Sequence, residues 1–325
     1  MAFPSHLLVR LPNWVGDVCM SLPSLARLFE TGLPVHVCAR PWARGLLAGL
    51  PLAGFIPMTG RLGDDRRGVR EHFSSQGLRP TEVAGLLLPD SLSSAALFRL
   101  AGIRSAGYRD DGRSLLLRWP QAKSRERLHA VESWYRLTRL ALQAWQLPAG
   151  PAQPEPGLTL PLTPEHQEEA HAALAAAGLH RKDFVLIAPT ATGLHRGRVK
   201  VWPGFARLTQ DLQSAGRTVL MCPPPAELEE ARRNAPTAQV LPPLSLGAFA
   251  ALTQAASLVV CNDSGVSHVA SATGARQITL FGVTDPARTG PWSQTAICLG
   301  ADNAWPSAES VLDRVQSELV SVIRP

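Results

Sequence analysis

The sequence predicts an α/β protein made of two doubly wound, parallel-sheet domains. Short apolar runs of strand type alternate with segments of helical periodicity, as parallel βαβ units require. Between Pro148 and Pro164 the chain carries six prolines, the composition of a stiff, extended linker. Beyond that stretch the alternation starts again. A chain of 325 residues is long enough for each half to bury its own core. The expected division is a first domain over 1–150, a linker over 151–164, a second domain over 165–305 and a terminal helical segment over 306–325. Ligands of two such halves would sit in a cleft between them, at the carboxyl ends of the strands.

The elements follow in order. His-Leu-Leu-Val-Arg-Leu over 6–11 reads as the first strand, with a helix over 18–30 behind it. A strand over 35–39, a helix over 42–50 and a strand over 54–58 come next. The segment 61–70, with three glycine or leucine breaks among its arginines, is expected as a mobile loop at the carboxyl edge of the sheet. A buried strand over 83–88 precedes a helix over 91–101, and residues 129–145 space their apolar side chains three and four apart, as an amphipathic helix does. After the linker the pattern reads helix 165–177, strand 184–188, helix 204–215, strand 218–222 and helix 226–234. It continues with helix 246–256, strand 258–261, helix 266–273, strand 277–281 and helical spacing over 307–322. His166 and His171 are five apart, share no helix face and are read as surface residues.

Composition narrows the class. At 45% hydrophobic and 18% charged the chain is globular. It has no uninterrupted apolar run of about 18 residues, so no membrane span is expected. The N-terminus shows no basic n-region and apolar h-region, so no signal peptide is expected. Five scattered cysteines, with no C-x-x-C, suit reduced thiols of a cytoplasmic protein rather than a disulfide framework or zinc site. Charge is uneven. Residues 1–150 hold 19 Lys+Arg against 11 Asp+Glu, a net +8; the remainder hold 13 against 15, a net −2, which recovers the overall +6. The basic half points to an anionic partner. Nucleic acid is not expected, because no aromatic-interleaved basic motif accompanies the charge.

The most informative stretch runs from Val259 to Ala270. It reads as a buried strand, a sharp turn at Asn262-Asp263-Ser264-Gly265 and a small-residue helix. Such a junction aims the free N–H groups of the first helical turn at the loop, where an anion can sit. Asp263 and His268 flank the turn as polar handles; the plain alternative is a corner with Asp or Ser as N-cap.

The D-S-G-x-x-H core of this stretch resembles the C-terminal motif of the family 9 glycosyltransferases, the ADP-heptose:lipopolysaccharide heptosyltransferases. Leu11-Pro12-Asn13-Trp14-Val15-Gly16-Asp17-Val18, followed by Met20-Ser21-Leu22-Pro23, is similar to that family's opening motif, closest to its heptosyltransferase II branch. Lys200-Val201-Trp202-Pro203 resembles its K-x-W-P element, and Phe281-Gly282-Val283-Thr284-Asp285-Pro286 the segment after the last core strand. The four motifs occur in family order. The run Thr190 to Arg196 departs from a small-residue loop common in the family.

The resemblance implies a GT-B fold whose last helix returns to the first domain, and an inverting, metal-independent transfer of heptose from ADP-heptose to the lipopolysaccharide inner core. In that reading Asp17 is the catalytic base. Lys200, one of only three lysines, meets the charge that grows on the leaving diphosphate. Thr190 and Thr192 add hydroxyl donors, the Ser264-Gly265 turn adds N–H groups, Glu227 accepts from ribose hydroxyls and His268 bonds sugar or phosphate. For the acceptor, Asn13 is joined by Arg61, Arg66 and Arg67, whose guanidinium groups suit carboxylate and phosphate. The alternative for that segment is a solvated surface where Asp64 and Asp65 pair with Arg66 and Arg67. No cofactor or metal is implied, and no D-x-D element is present. The partners expected are ADP-heptose, an anionic lipopolysaccharide core and, peripherally, the inner leaflet of the inner membrane, with a cytoplasmic location.

Two other classes are open. Another family 9 transferase would differ in donor sugar or acceptor. A non-catalytic anionic-ligand-binding protein would rest on the +8 half but leaves Asp17, Lys200 and Asp263 without a role. A nucleotide-dependent oxidoreductase or P-loop enzyme is disfavoured: neither G-x-G-x-x-G after the strands at 6–11 and 184–188 nor G-x-x-x-x-G-K-[ST] occurs.

Overall fold

A computed structural model describes residues 4–320. The chain divides into two compact units, one ending at Glu155 and one starting at Pro156, within the proline-rich stretch. Each is built on a six-stranded, all-parallel sheet.

In the first unit the order is β3-β2-β1-β4-β5-β6. The strands are β1 (His6–Arg10), β2 (Val35–Ala39), β3 (Gly54–Pro57), β4 (Val83–Leu87), β5 (Arg104–Tyr108) and β6 (Trp119–Gln121). Strand β1 is central, with Val9 opposite Val37 of β2 and Leu86 of β4. Helices cover both faces, so β1, β2 and β4 read as continuous apolar runs. The helices are α1 (Val15–Met20), α2 (Leu22–Phe29), α3 (Ala43–Leu46), α4 (Leu62–Ser74), α5 (Leu92–Ala101) and α6 (Ala130–Ala144). Helices α4 and α5 pack Val69, Phe73, Ala95 and Phe98 onto one face with Leu8, Cys38 and Leu87.

The second unit repeats the plan in the order β11-β10-β7-β12-β13-β14. Helix α7 (Pro164–Ala176) leads into β7 (Phe184–Ala188), and a two-stranded hairpin, β8 (Leu194–His195) and β9 (Arg198–Val199), follows. Then come α8 (Phe205–Ser214), β10 (Thr218–Met221), α9 (Leu228–Asn234), β11 (Gln239–Val240) and α10 (Leu246–Ala255). The chain returns to the centre with β12 (Leu258–Asn262), α11 (Gly265–Ala272) and β13 (Gln277–Phe281), and ends with α12 (Pro286–Thr289), β14 (Ile297–Gly300) and α13 (Ala308–Val320). One face is packed by Phe205, Leu208 and Leu212 of α8 with Val311, Val315 and Leu319 of α13. The other is packed by α7, α10 and α11 through Ala170, Leu174, Leu252, Ala255 and Ala270. In both units strand order reverses beside the central strand, at β1/β4 and β7/β12. The crevice at the carboxyl ends of such a pair is where doubly wound sheets bind ligands.

Several expectations need correction. The helix over 18–30 is two helices, because Ser21 turns back on the end of α1 with its hydroxyl donating to Val18 O at 2.7 Å and Pro23 opens α2. The segment 61–70 is not a loop but the start of α4. Asp65 is buried and accepts from Thr59 N at 2.7 Å, Thr59 Oγ1 at 2.8 Å and Gly60 N at 3.0 Å, which fixes the turn that launches the helix. The surface alternative therefore holds only for Asp64, paired with Arg67 at 3.2 Å. His166 is buried rather than at the surface. It forms a capping box with Thr163 at the start of α7 and packs flat on Gly247, where a Cβ would come within 2.2 Å of its ring. The second part of the linker is built into the second unit: Leu158 and Leu160 are buried, and Leu160 N donates to Ala272 O at 2.8 Å. Helix α13 lays its apolar face in the second unit's own core; residues 321–325 of the segment expected to return to the first domain lie outside the described residues.

Candidate functional site

The second unit gathers most of the predicted donor residues at the carboxyl ends of β7, β10 and β12. Asn262, the last residue of β12, is fully buried and makes three long-range bonds. Its Oδ1 accepts from Trp202 N at 2.8 Å, and its Nδ2 donates to Ala188 O at 3.3 Å and Thr190 O at 3.2 Å. One amide thus ties together the end of β7, the loop after it and the Lys200–Pro203 segment. Trp202 is clamped as well. It is buried, its Nε1 donates to Pro306 O at 2.9 Å, it meets Phe205 edge to face, and it fills the space where a Cβ on Gly204 would stand.

That clamp sets the position of Lys200. Its ammonium lies 3.4 Å from Asp263 Oδ2, and the same oxygen accepts from Thr284 Oγ1 at 2.6 Å. Asp263 is nearly buried while Lys200 is partly open, with relative side-chain exposures of 8% and 22%. An ammonium has three donors, so the ion pair leaves Lys200 donors to spend on a ligand. Ser264 is the N-cap of α11, Gly265 its first residue, and the buried His268 stands one turn further on.

A second cluster lies beside the first. Thr190 Oγ1 donates to Glu227 Oε2 at 2.5 Å and Thr192 Oγ1 to Oε1 at 2.7 Å. Glu227 closes a 3-10 turn over Pro225–Glu227 after β10 and caps α9. Asn234 Nδ2 donates to Pro189 O at 2.7 Å and holds the same loop from the other end of α9. The divergent run after Thr190 folds as the β8–β9 hairpin. Its two-residue turn, Arg196-Gly197, has φ of +50° and +77°, the primed geometry that favours glycine. Arg198 anchors the hairpin by donating to Val283 O at 3.1 Å, Asp302 at 2.9 Å and Asn303.

In the first unit, Asp17 sits in the first turn of α1, half-buried, just past β1. Asn13 is exposed and accepts from Arg10 Nη2 at 2.7 Å. Arg10 also donates to Leu11 O and Cys38 O, and burial lowers its pKa. Arg61 caps α4, and Arg66 and Arg67 stand on its exposed face. Arg66, Arg67 and Arg70, without Arg61, line a groove of about 620 Å³ beside α4 whose other walls include Phe73, Leu78 and Ile103.

Sequence reasoning missed Asn262, Thr284, Arg10, Asp65, Arg70 and Arg198 as parts of these arrangements. Asn262 and Thr284 lie inside motifs already singled out, and that position is the only signal either gives. Arg10 and Arg198 reach carbonyls distant in sequence, Asp65 closes the turn that lies just before its helix, and Arg70 joins Arg66 and Arg67 through helix register.

Known proteins resemble this chain in sequence and in fold. The family profile described as glycosyltransferase family 9 (heptosyltransferase) matches residues 78–317. The chain is 28% identical to lipooligosaccharide heptosyltransferase 2 of Haemophilus influenzae over 90% of its own length and 87% of the relative's. The structure resembles E. coli ADP-heptose lipopolysaccharide heptosyltransferase II with a TM-score of 0.76 at 24% identity, over 97% of this chain and 99% of that one. It resembles a family 9 glycosyltransferase of Veillonella parvula with a TM-score of 0.82 at 17% identity, over 99% of both.

Proposed function

The chain belongs to glycosyltransferase family 9, the heptosyltransferases, and from that premise we propose that it transfers heptose from ADP-heptose to the inner core of lipopolysaccharide by an inverting, metal-independent displacement. It is a glycosyltransferase with the GT-B fold. The acceptor hydroxyl oxygen attacks the heptose anomeric carbon from the face opposite the diphosphate. The bond from that carbon to the phosphate oxygen breaks as the new glycosidic bond forms, its electron pair leaves with ADP, and Asp17 takes the hydroxyl proton.

The observation that carries the reading is the Lys200–Asp263–Thr284 cluster at the opening of α11. Asp263 keeps the ammonium in place from beneath, and the buried amide of Asn262 fixes the backbone that bears both. A cation so preorganised costs no reorientation when charge appears on the leaving diphosphate. Glu227, already accepting from two threonines, would take the ribose hydroxyls. The acceptor is lipid-linked and anionic, so the enzyme would act at the cytoplasmic face of the inner membrane, with the arginines of α4 meeting acceptor carboxylate or phosphate.

The test is Lys200→Ala. ADP-heptose affinity measured by calorimetry should fall, and single-turnover transfer should slow by roughly 10²-fold, as when one preorganised donor is lost. Unchanged affinity and rate would remove Lys200 from the donor site. Transfer by the wild type should survive a chelator; inhibition by chelation would overturn the metal-free displacement.

A further inference from the structure

We propose that Arg198 is a positioning residue for Lys200: it fastens the β8–β9 hairpin so that the ammonium stands where the leaving diphosphate needs it. The inference rests on the proposed donor role of Lys200 and deepens it by naming what holds that side chain. A lysine stem is long and flexible, so its ammonium is only as well placed as the backbone beneath it. The hairpin that leads into Lys200 puts this at risk. Its turn residues Arg196 and Gly197 are exposed, and Val199, directly before Lys200, is 59% exposed and gives no anchor by burial.

Polar bonds from Arg198 supply the anchor. Its Nη2 donates to Val283 O at 3.1 Å and Asp302 Oδ1 at 2.9 Å, and its Nη1 to Asn303 Oδ1. One planar fork thus spans the loops after β13 and β14. The second loop is itself fixed. Asn303 N donates to Gly282 O at 3.0 Å, and Trp305 packs on Gly282, where a Cβ would come within 2.0 Å of its ring. The same loop accepts Trp202 Nε1 on Pro306 O at 2.9 Å. Arg198 stands two residues before Lys200 and Trp202 two residues after it. One loop therefore holds both ends of the segment that carries the ammonium.

The ammonium closes on the same place. Thr284, next to Val283, donates to the Asp263 oxygen that pairs with Lys200. Arg198 and Lys200 therefore meet adjacent residues, Val283 directly and Thr284 through Asp263. The two fastenings differ in kind. Trp202 belongs to the buried core, and truncating it would cost stability. The side chains of Arg198 and Asp302 are 35% and 39% exposed, and an ion pair so open contributes little to stability. Arg198 can be removed from a unit that stays folded, and what is lost is the placing of Lys200.

The experiment gives Arg198→Ala, Lys200→Ala and the double variant two readouts. The first needs no turnover: limiting acetic anhydride acetylates the folded chain, and mass spectrometry reads Lys123, Lys182 and Lys200, its only lysines. Arg198→Ala should raise Lys200 acetylation several-fold, because an amine released from Asp263 is bared to the reagent. Lys182 is the reference in the same unit, its Nζ donating to Gln254 O at 2.9 Å and Ala256 O at 2.7 Å. An equal rise at Lys182 would mean that the whole unit had loosened, and would overturn the proposal. The second readout is single-turnover transfer. Lys200→Ala should slow it roughly 10²-fold and Arg198→Ala roughly tenfold, within the cost of a lost and of a misplaced group. The double variant should be no slower than Lys200→Ala, since Arg198 acts through the ammonium. Additive losses would give Arg198 a separate role and overturn the proposal, as would unchanged Lys200 acetylation or wild-type transfer in Arg198→Ala. Normal transfer by Lys200→Ala would instead sink the proposed donor role, and acetylation would still decide whether Arg198 places the side chain.

Discussion

At the scale of single residues the two units hold the proposed catalytic groups by different devices. Lys200 is fixed by an ion pair, whereas Asp17 rides in the first turn of the short helix α1. An aspartate at the opening of a helix can simply stabilise the helix, and the two roles separate in kinetics. Asp17→Asn keeps the side-chain shape but cannot accept a proton. Donor affinity should hold, while turnover should fall by ~10²–10⁴, the range for losing a general base. Transfer within about threefold of wild type, well inside that range, would make Asp17 only a helix-opening residue. Asn262 shows what a sequence does not display about a single residue. It reads as the polar end of an apolar strand. Its part in joining β7, the Thr190 loop and Trp202 exists only through bonds spanning 60 to 74 residues.

At the scale of elements, legibility followed burial. Strands β1, β2, β4, β7, β12 and β13 are sandwiched between helix layers, so each is an apolar run that announces itself. Strand β5, Arg-Ser-Ala-Gly-Tyr, and the edge strand β6, Trp-Pro-Gln, lack that pattern and are held by pairing to a neighbour. Helix α4 was misread because two glycines and paired aspartates are turn-like locally. What makes it a helix is tertiary: the Asp65 anchor on Thr59 and Gly60, and the packing of Val69 and Phe73. The correction changes which arginines act together. On a helix, Arg66 and Arg67 are four and three residues from Arg70, so the three share a face, and all three line the groove beside α4. Arg66→Ala, Arg67→Ala, Arg70→Ala together should raise acceptor KM and flatten its salt dependence, with ADP-heptose affinity intact. Should the triple change leave acceptor KM and its salt dependence untouched, the acceptor binds elsewhere on the first unit.

At the scale of the whole molecule, two units with separate cores can respond separately to solution conditions, and acid distinguishes them. In the first unit, His36 on β2 is buried, with His6 of β1, His72 and Phe73 of α4 and Gly54 of β3 packed around it. His36 Nδ1 lies 2.9 Å from His72 Nε2, so one neutral ring donates to the other, and His36 Nε2 meets no partner among the described residues. Burial first, then the neighbouring His72 and His6, push the His36 pKa from 6.5 down to about 4, and burial lowers that of His72 as well. The folded state therefore keeps His36 neutral where the unfolded chain would already be protonated. Stability from this site is complete above about pH 6.5, declines as the pH falls towards about 4, and is flat below that. The loss is of the order of 3 kcal/mol. Calorimetric or denaturant unfolding between these limits should show the first unit weakening, while a saturating nucleotide ligand stabilises the second by mass action. His36→Asn should lower stability at neutral pH, since the ring leaves a gap, and should also remove much of the acid dependence of the first unit. An acid dependence as steep in His36→Asn as in wild type would assign the loss to other groups and leave the histidine cluster a packing device only.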